Sequence, residues 1–305
     1  MIELSSRTIV GDHDGPHLLI TAGVHGDEFE PMVAVRRLLG EFAARPLVGR
    51  VTLVPVVNEA AYRRGRRTAE DELDLARTCP GSDDGSVTQR TAAALSRLIR
   101  GADFYIDLHT GGALFDISPL AGYVLHGDSA VLECQRRMAR AFDLPIRWGT
   151  SPQLEGRSLS VARDASVPAI YTEFGGGGGC RPEATAAYVE GCLNVAGLLG
   201  LIDRPVSASR ERYVVEDHRP QSGYLQIQHP APCDGFFESR VSLGQAVRCG
   251  EPLGRVVDAW GDSPIDVPAA HEGTVLFLRV QPPVQAGDPF AGLLPITAPG
   301  EVVLR

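Results

Sequence analysis

The chain has 305 residues, 44% hydrophobic and 22% charged, the make-up of a globular protein with a sizeable core. Its net charge is −9, and all 29 basic residues are arginine. The missing lysine excludes lysine Schiff bases, a phosphate-loop lysine and any lysine-borne prosthetic group, and the acidic balance argues against nucleic acid as the main partner.

Met1 to His17 has no basic start followed by an apolar run, so no signal peptide is expected. His17–Ala22 is a short apolar strand ending at Gly23. Glu30–Phe42 then has helical spacing through Val33, Val35, Leu38 and Leu39. Val51–Val57 is rich in β-branched residues and reads as a buried strand, and Thr88–Arg100 as a helix. Phe104–His109 is a strand, Ala130–Phe142 a helix, Ala169–Phe174 a strand and Pro182–Leu201 a helix. This alternation predicts an α/β domain over residues 1–205, with a mixed, largely parallel central sheet flanked by helices. The apolar stretch Val195–Ile202 is far too short for a membrane span. The six cysteines lack CxxC spacing and are expected as free thiols in a cytoplasmic protein.

Around Pro205–Arg219 the chain turns polar and irregular. The remaining segment, 206–305, is expected to be a smaller, all-β domain with an internal repeat. Cys233-Asp234-Gly235-Phe236-Phe237 with Val247 to Leu253 is echoed by His271-Glu272-Gly273-Thr274-Val275 with Val284 to Phe290. The offset is 38 residues at Gly235/Gly273 and 37 at Gly250/Gly287. Such repetition suggests a barrel-sandwich similar to biotinyl and lipoyl carrier domains. The connection that would hold a carrier lysine reads Asp258-Ala259-Trp260-Gly261-Asp262-Ser263, so a structural or access-shaping role is expected.

Three strand ends carry candidate chemistry. In His25-Gly26-Asp27-Glu28, a histidine and a glutamate three apart can place an imidazole nitrogen and a carboxylate oxygen on one metal; the alternative is a helix-capping loop. Asp107 and His109 project to one face of their strand, so the carboxylate can support the imidazole; the alternative is a polar strand end in solvent. Glu173 ends a strand before Gly175 to Gly179 and is a candidate general base, or else a solvated strand end. The glycines form no phosphate loop, since no GK[ST] follows. Arg63, Arg64, Arg66, Arg67 and Arg77 crowd the segment after Val51–Val57, where one or two can clamp a carboxylate. Gly156 to Ser160 breaks the GxSxG pattern at its last position, and Cys180 has no identifiable histidine partner.

Together these segments resemble the succinylglutamate desuccinylase/aspartoacylase family, relatives of the zinc carboxypeptidases. Gly23-Val24-His25-Gly26-Asp27-Glu28 is similar to the family's first metal motif. Asp107-Leu108-His109-Thr110-Gly111-Gly112 is similar to the segment of the third ligand, and Pro168 to Gly176 to that of the catalytic glutamate. Val57-Asn58 through Gly65-Arg66 resembles the stretch whose arginine faces the scissile carbonyl. The resemblance spans roughly residues 17–202. It implies one zinc ion per chain on His25, Glu28 and His109, Glu173 as general base, Arg66 at the oxyanion, and Asn58 and Arg77 as substrate-binding residues. The family's Asn-Arg pair before Pro-Gly is Ala76-Arg77 here, so the arginine is kept and the amide is missing. The implied activity is zinc-dependent hydrolysis of a small N-acyl amino acid or related amide. The alternatives are a metallocarboxypeptidase, which relies on that pair for the terminal carboxylate, and a non-catalytic metal-binding protein. The expected partner is a small N-acylated molecule, with no nucleic acid and no membrane; whether the chain forms a homo-oligomer is left open.

Overall fold

The structure, a computed structural model, describes residues 2–205, 209–220, 222, 229–295 and 302–304. The N-terminal half runs β1 (Arg7–Val10), β2 (His13–Ala22), α1 (Phe29–Ala43), β3 (Val48–Val54), α2 (Glu59–Arg64), α3 (Val87–Arg100) and β4 (Phe104–His109). It continues with β5 (Phe115–Val124), α4 (Ser129–Phe142), β6 (Ile146–Thr150), α5 (Ser158–Asp164), β7 (Ala169–Gly176), α6 (Pro182–Leu198) and β8 (Tyr213–Glu216). These strands join one sheet in the order β1-β3-β2-β4-β7-β5-β6-β8. Strands β3, β2, β4 and β7 are parallel, whereas β5 runs antiparallel to β7, giving a mixed sheet.

Alternation along the central strands divides the core between two helical layers. Leu18, Ile20 and Ala22 of β2 and Ile106 and Leu108 of β4 pack with Leu38 and Phe42 of α1, Phe142 of α4 and Tyr188 and Cys192 of α6. The intervening Leu19 and Tyr105 pack with Leu95 and Ile99 of α3 and Leu159 and Ala162 of α5. Fully burying each leucine, isoleucine or phenylalanine among these contributes about 1.5–3 kcal/mol. Helix α3 starts on a capping box: the Ser86 hydroxyl accepts from the Gln89 amide while the Gln89 side chain accepts from that of Ser86. Asp128 caps α4 through the amides of Ala130 and Val131.

The helical and β-branched patterns place most elements within a few residues of their observed bounds. Strands β1, β5 and β6 and helices α2 and α5 lie in stretches of mixed polarity whose pattern predicts no element. The boundary expected between residues 205 and 206 adjoins residues 206–208, which lie outside those described. Beyond it, β8 still pairs with β6, so the main sheet continues past that point.

The C-terminal region contains β9 (Gly235–Ser239), β10 (Ala246–Val247), β11 (Pro252–Val257), β12 (Ile265–Pro268), β13 (Gly273–Arg279), β14 (Pro283–Val284) and β15 (Ala291–Leu294). The repeat is visible as an exchange: β10 of the first copy pairs with β13 of the second, and β14 of the second with β9 of the first. Phe237, Leu253, Val275 and Phe290 fill the space between the layers. Trp260, in the connection where a carrier lysine would stand, is 90% exposed. Strand β13 also pairs antiparallel with β5 through Phe277 to Arg279, and the Phe277 ring meets Phe115 edge-on at 5.3 Å. This joint places the repeat unit beside the carboxyl ends of β4 and β7. A last strand, β16 (Val302–Leu304), pairs parallel with β8. Among the described residues no helix is long and apolar enough to cross a membrane.

Candidate active site

Three strand ends build the site. After β2 the chain turns at Gly23, whose φ of +68° favours glycine, and enters α1 with Glu28 at the N-cap position. Gly26 is required by close approach, since a Cβ there would lie 2.2 Å from the carbonyl carbon of Ala61. Next to β2, β4 carries Asp107 and His109 on one face, and β7 sets Glu173 opposite His109 in register. The Tyr188 hydroxyl, on α6, donates to the His109 carbonyl at 2.5 Å and reaches the Phe174 carbonyl at 2.9 Å, holding the two strand ends together.

His25 and His109 both turn Nδ1 toward the buried Glu28 carboxylate, at 2.6 Å from Oε1 and 3.0 Å from Oε2. The far nitrogens are held by acids: His25 Nε2 lies 3.1 Å from Asp74 Oδ1, and His109 Nε2 lies 3.2 Å from Asp107 Oδ2. One ligand atom from each of His25, Glu28 and His109 falls within 4.8 Å of the others. Two imidazole nitrogens and a carboxylate, each imidazole backed by a second carboxylate, form a donor set that fits zinc and leaves room for a further ligand.

The electrostatics agree with a site built for a cation. Burial opposes ionisation of Glu28, but the two histidines hold its carboxyl well below the usual range. Burial likewise disfavours a charged His109, yet Asp107 and Glu28 raise it well above 6.5. Asp107 is fully buried and accepts from Thr21 at 2.8 Å and from the Ser158 hydroxyl. Glu173 is half-buried with Oε2 enclosed and unpartnered. Burial, reinforced by Glu28 and Asp107 against the opposing pull of His109 and Arg67, pushes its carboxyl up to about 8. A raised carboxyl beside a metal position is suited to proton transfer.

The loop between α2 and α3 supplies the remaining charges. Asp71 anchors it by accepting from the Thr88 amide at 2.9 Å and the Thr88 hydroxyl at 2.7 Å, at the start of α3. Asp74 accepts from the Ala76 amide, from His25 and, through Oδ2, from Arg67 at 2.9 and 3.3 Å. That pairing brings Arg67 Nη1 to 4.0 Å from Glu28.

Two cavities open from this centre and share His25, Arg67 and Glu173. The smaller, about 80 Å³, is walled by Ala76, Arg77, Arg157, Ser158 and Tyr171. The larger, about 250 Å³, is walled by Leu114, Phe115 and Ile117 together with Phe277, Arg279 and Pro289 of the C-terminal unit.

His25, Glu28, His109, Glu173 and Arg77 are therefore brought together. Arg66 is not: its side chain is exposed, and Arg67 takes the inward position. A crowded arginine segment signals a cation here, but in an irregular loop no periodicity tells which residue turns inward. Asn58 is buried and caps α2, accepting from the Ala61 amide at 3.1 Å, and it lines neither cavity. The spacing anticipates the support of His109 by Asp107, but it gives no signal for Asp74, Arg157 or the β13 residues.

A family model for the succinylglutamate desuccinylase/aspartoacylase catalytic domain matches residues 14–199. The chain belongs to the succinylglutamate desuccinylase/aspartoacylase family. A curated member, the N-alpha-acetyl-L-2,4-diaminobutyric acid deacetylase of Halomonas elongata, is 34% identical over 294 residues, covering 93% of this chain and 83% of its own. Among solved structures, a succinylglutamate desuccinylase from Silicibacter sp. TM1040 aligns with a TM-score of 0.85 at 27% identity, over 94% of this chain and 87% of that one. The product-bound ectoine utilization protein EutE (DoeB) from Ruegeria pomeroyi aligns with a TM-score of 0.83 at 27% identity, over 94% and 87% of the two chains. The family's fold and the β-rich C-terminal part are thus both matched over nearly the whole chain.

Proposed function

We propose that this family member is a zinc-dependent deacylase that hydrolyses the amide of a small N-acyl amino acid. The observation that carries the reading is the convergence of His25, Glu28 and His109 on one point, with Glu173 and Arg67 facing the same space. When bound by His25, Glu28 and His109, zinc lowers the pKa of a water and polarises a carbonyl. Glu173, raised by burial, accepts a proton from the attacking water and delivers it to the leaving nitrogen. Arg67, fixed by Asp74, stands where negative charge grows on the carbonyl oxygen. Arg77, with Arg157 in the same cavity wall, holds the carboxylate of the amino acid.

A small substrate is favoured over a peptide by the walls of the larger cavity. Phe277, Asp288 and Pro289 wall one side of it, and its volume of about 250 Å³ suits a small molecule. The deacylation named for the Halomonas elongata relative supports the reaction class. The test is metal removal followed by a screen of N-acetyl, N-succinyl and N-formyl amino acids. Chelated protein is expected to be inactive and to recover on adding one equivalent of zinc. Equal turnover before and after chelation, or no turnover of any N-acyl amino acid by zinc-loaded protein, contradicts the proposal.

A further inference from the structure

The two cavities that meet at Glu173 differ in charge as well as size. The smaller has Arg77 and Arg157 in its wall. The larger is apolar on Leu114, Phe115, Ile117 and Phe277; of its two arginines, Arg67 sits at the shared centre, paired with Asp74, and Arg279 belongs to the far wall. Arg279 is engaged throughout: Nε donates to the Gln281 carbonyl at 3.0 Å, Nη2 to the Pro283 carbonyl at 2.7 Å, and Nη1 to the Pro289 carbonyl at 3.4 Å. Its Nη2 also lies 3.3 Å from Asp288. Asp27, only 8% exposed, lines the same cavity. Its Oδ2 accepts from the Ala113 amide at 3.0 Å, while its Oδ1 is buried with no hydrogen-bond partner. An anionic terminal group reaching the far wall would meet the unpartnered Asp27 Oδ1 and lose its hydration, with Arg67 committed at the reacting carbonyl and Arg279 to carbonyls of its own unit.

Resting on the deacylase reading, we propose that the larger cavity receives the acyl group and selects an uncharged one, longer than acetyl being accommodated and a terminal carboxylate rejected. The substrate then lies with its amino-acid carboxylate toward Arg77 and Arg157 and its apolar acyl chain against β5 and β13. Specificity between neutral and anionic acyl groups is set by repulsion at Asp27 as much as by attraction to the apolar wall.

N-butyryl and N-succinyl amides of one amino acid test this, because the two acyl chains have the same length and differ at the terminal group. With zinc-loaded protein, kcat/KM for the butyryl compound is expected to exceed that for the succinyl compound by roughly 100-fold or more, as an unpaired charge facing a carboxylate demands. The acetyl compound is expected within about tenfold of butyryl, a methylene or two being worth a modest factor. Leu114 is 41% exposed at the cavity wall, so Leu114→Arg places a cation there without disturbing the core. It is expected to narrow the butyryl-to-succinyl ratio by about tenfold. Binding of both compounds to zinc-loaded Glu173→Gln protein is measured in parallel by calorimetry. Preferential butyryl binding without wild-type turnover sinks the deacylase reading and spares the cavity assignment. Equal or preferred succinyl, in turnover or in binding, overturns the assignment.

Discussion

Arg67→Ala and Arg66→Ala, made separately, distinguish a loop read from spacing from the loop as folded. Arg67 donates to Asp74 through Nε and Nη2 and brings Nη1 to 4.0 Å from Glu28. Removing a fixed donor aimed at a developing oxyanion raises the barrier by about 2.7–4 kcal/mol, or 10²–10³ in kcat. The structural loss is smaller. Arg67 and Asp74 are 37% and 26% exposed, so solvent screening limits the pair to about 1 kcal/mol or less. Arg66 is exposed and makes no side-chain hydrogen bond or ion pair among the described residues, so its removal should change activity by about twofold at most. The assay is kcat and KM on an N-acyl amino acid at matched zinc content, with melting temperatures to check folding. An Arg67→Ala enzyme within a few-fold of wild type, or an Arg66→Ala enzyme 100-fold down, refutes the assignment.

Asp74→Asn sets an amide N–H₂ against His25 or Arg67 and is expected to weaken zinc binding by about 10–100-fold in chelator competition; an unchanged affinity would show that Asp74 does not orient His25. Zinc uptake should depend on pH through His109. Its raised pKa stabilises the metal-free fold fully below the ordinary value of 6.5, and that contribution is lost as pH rises toward the raised value. Zinc must displace the same proton, so the gap in Tm between zinc-loaded and metal-free protein should widen from about pH 6.5 to 8; a constant or narrowing gap contradicts this. Glu216, 6% exposed, accepts from Tyr123 at 2.6 Å and from Arg136 at 2.7 and 2.8 Å, tying β8 to β5 and α4. Burial opposes its charge but these bonds hold it below 4.5, so its contribution is present above 4.5 and lost as pH falls through the lower folded value. Glu216→Gln should destabilise by about 1–3 kcal/mol near neutral pH and flatten the loss of stability in acid, measured by urea unfolding.

The parts of the site that sequence makes legible are those at the ends of buried strands. His25, His109 and Glu173 each follow an apolar run, and the topology of a parallel sheet gathers such ends at one edge. Asp107 is legible as a partner for His109 because period-two alternation fixes its face. What lies in loops is not. Arg67 and Arg66 are neighbours of identical chemistry, and only the anchoring of Asp74 decides which one turns inward. Asn58, which the family resemblance assigns to substrate, is taken up in capping α2. The docking of Phe277–Arg279 on Phe115–Ile117 joins segments more than a hundred and fifty residues apart, and no local pattern carries it. The β repeat is legible as two copies, yet its role as a wall of the larger cavity depends on that one distant strand pairing.

The central claim is that a metal held by His25, Glu28 and His109 and a base at Glu173 act together on an amide. Its most direct measurement is turnover by Glu173→Gln protein whose zinc content and Tm match wild type. Loss of about 10²–10⁴ in kcat with zinc retained is the predicted result, because the glutamine keeps the shape but cannot take the proton. Full activity at equal zinc occupancy contradicts the account.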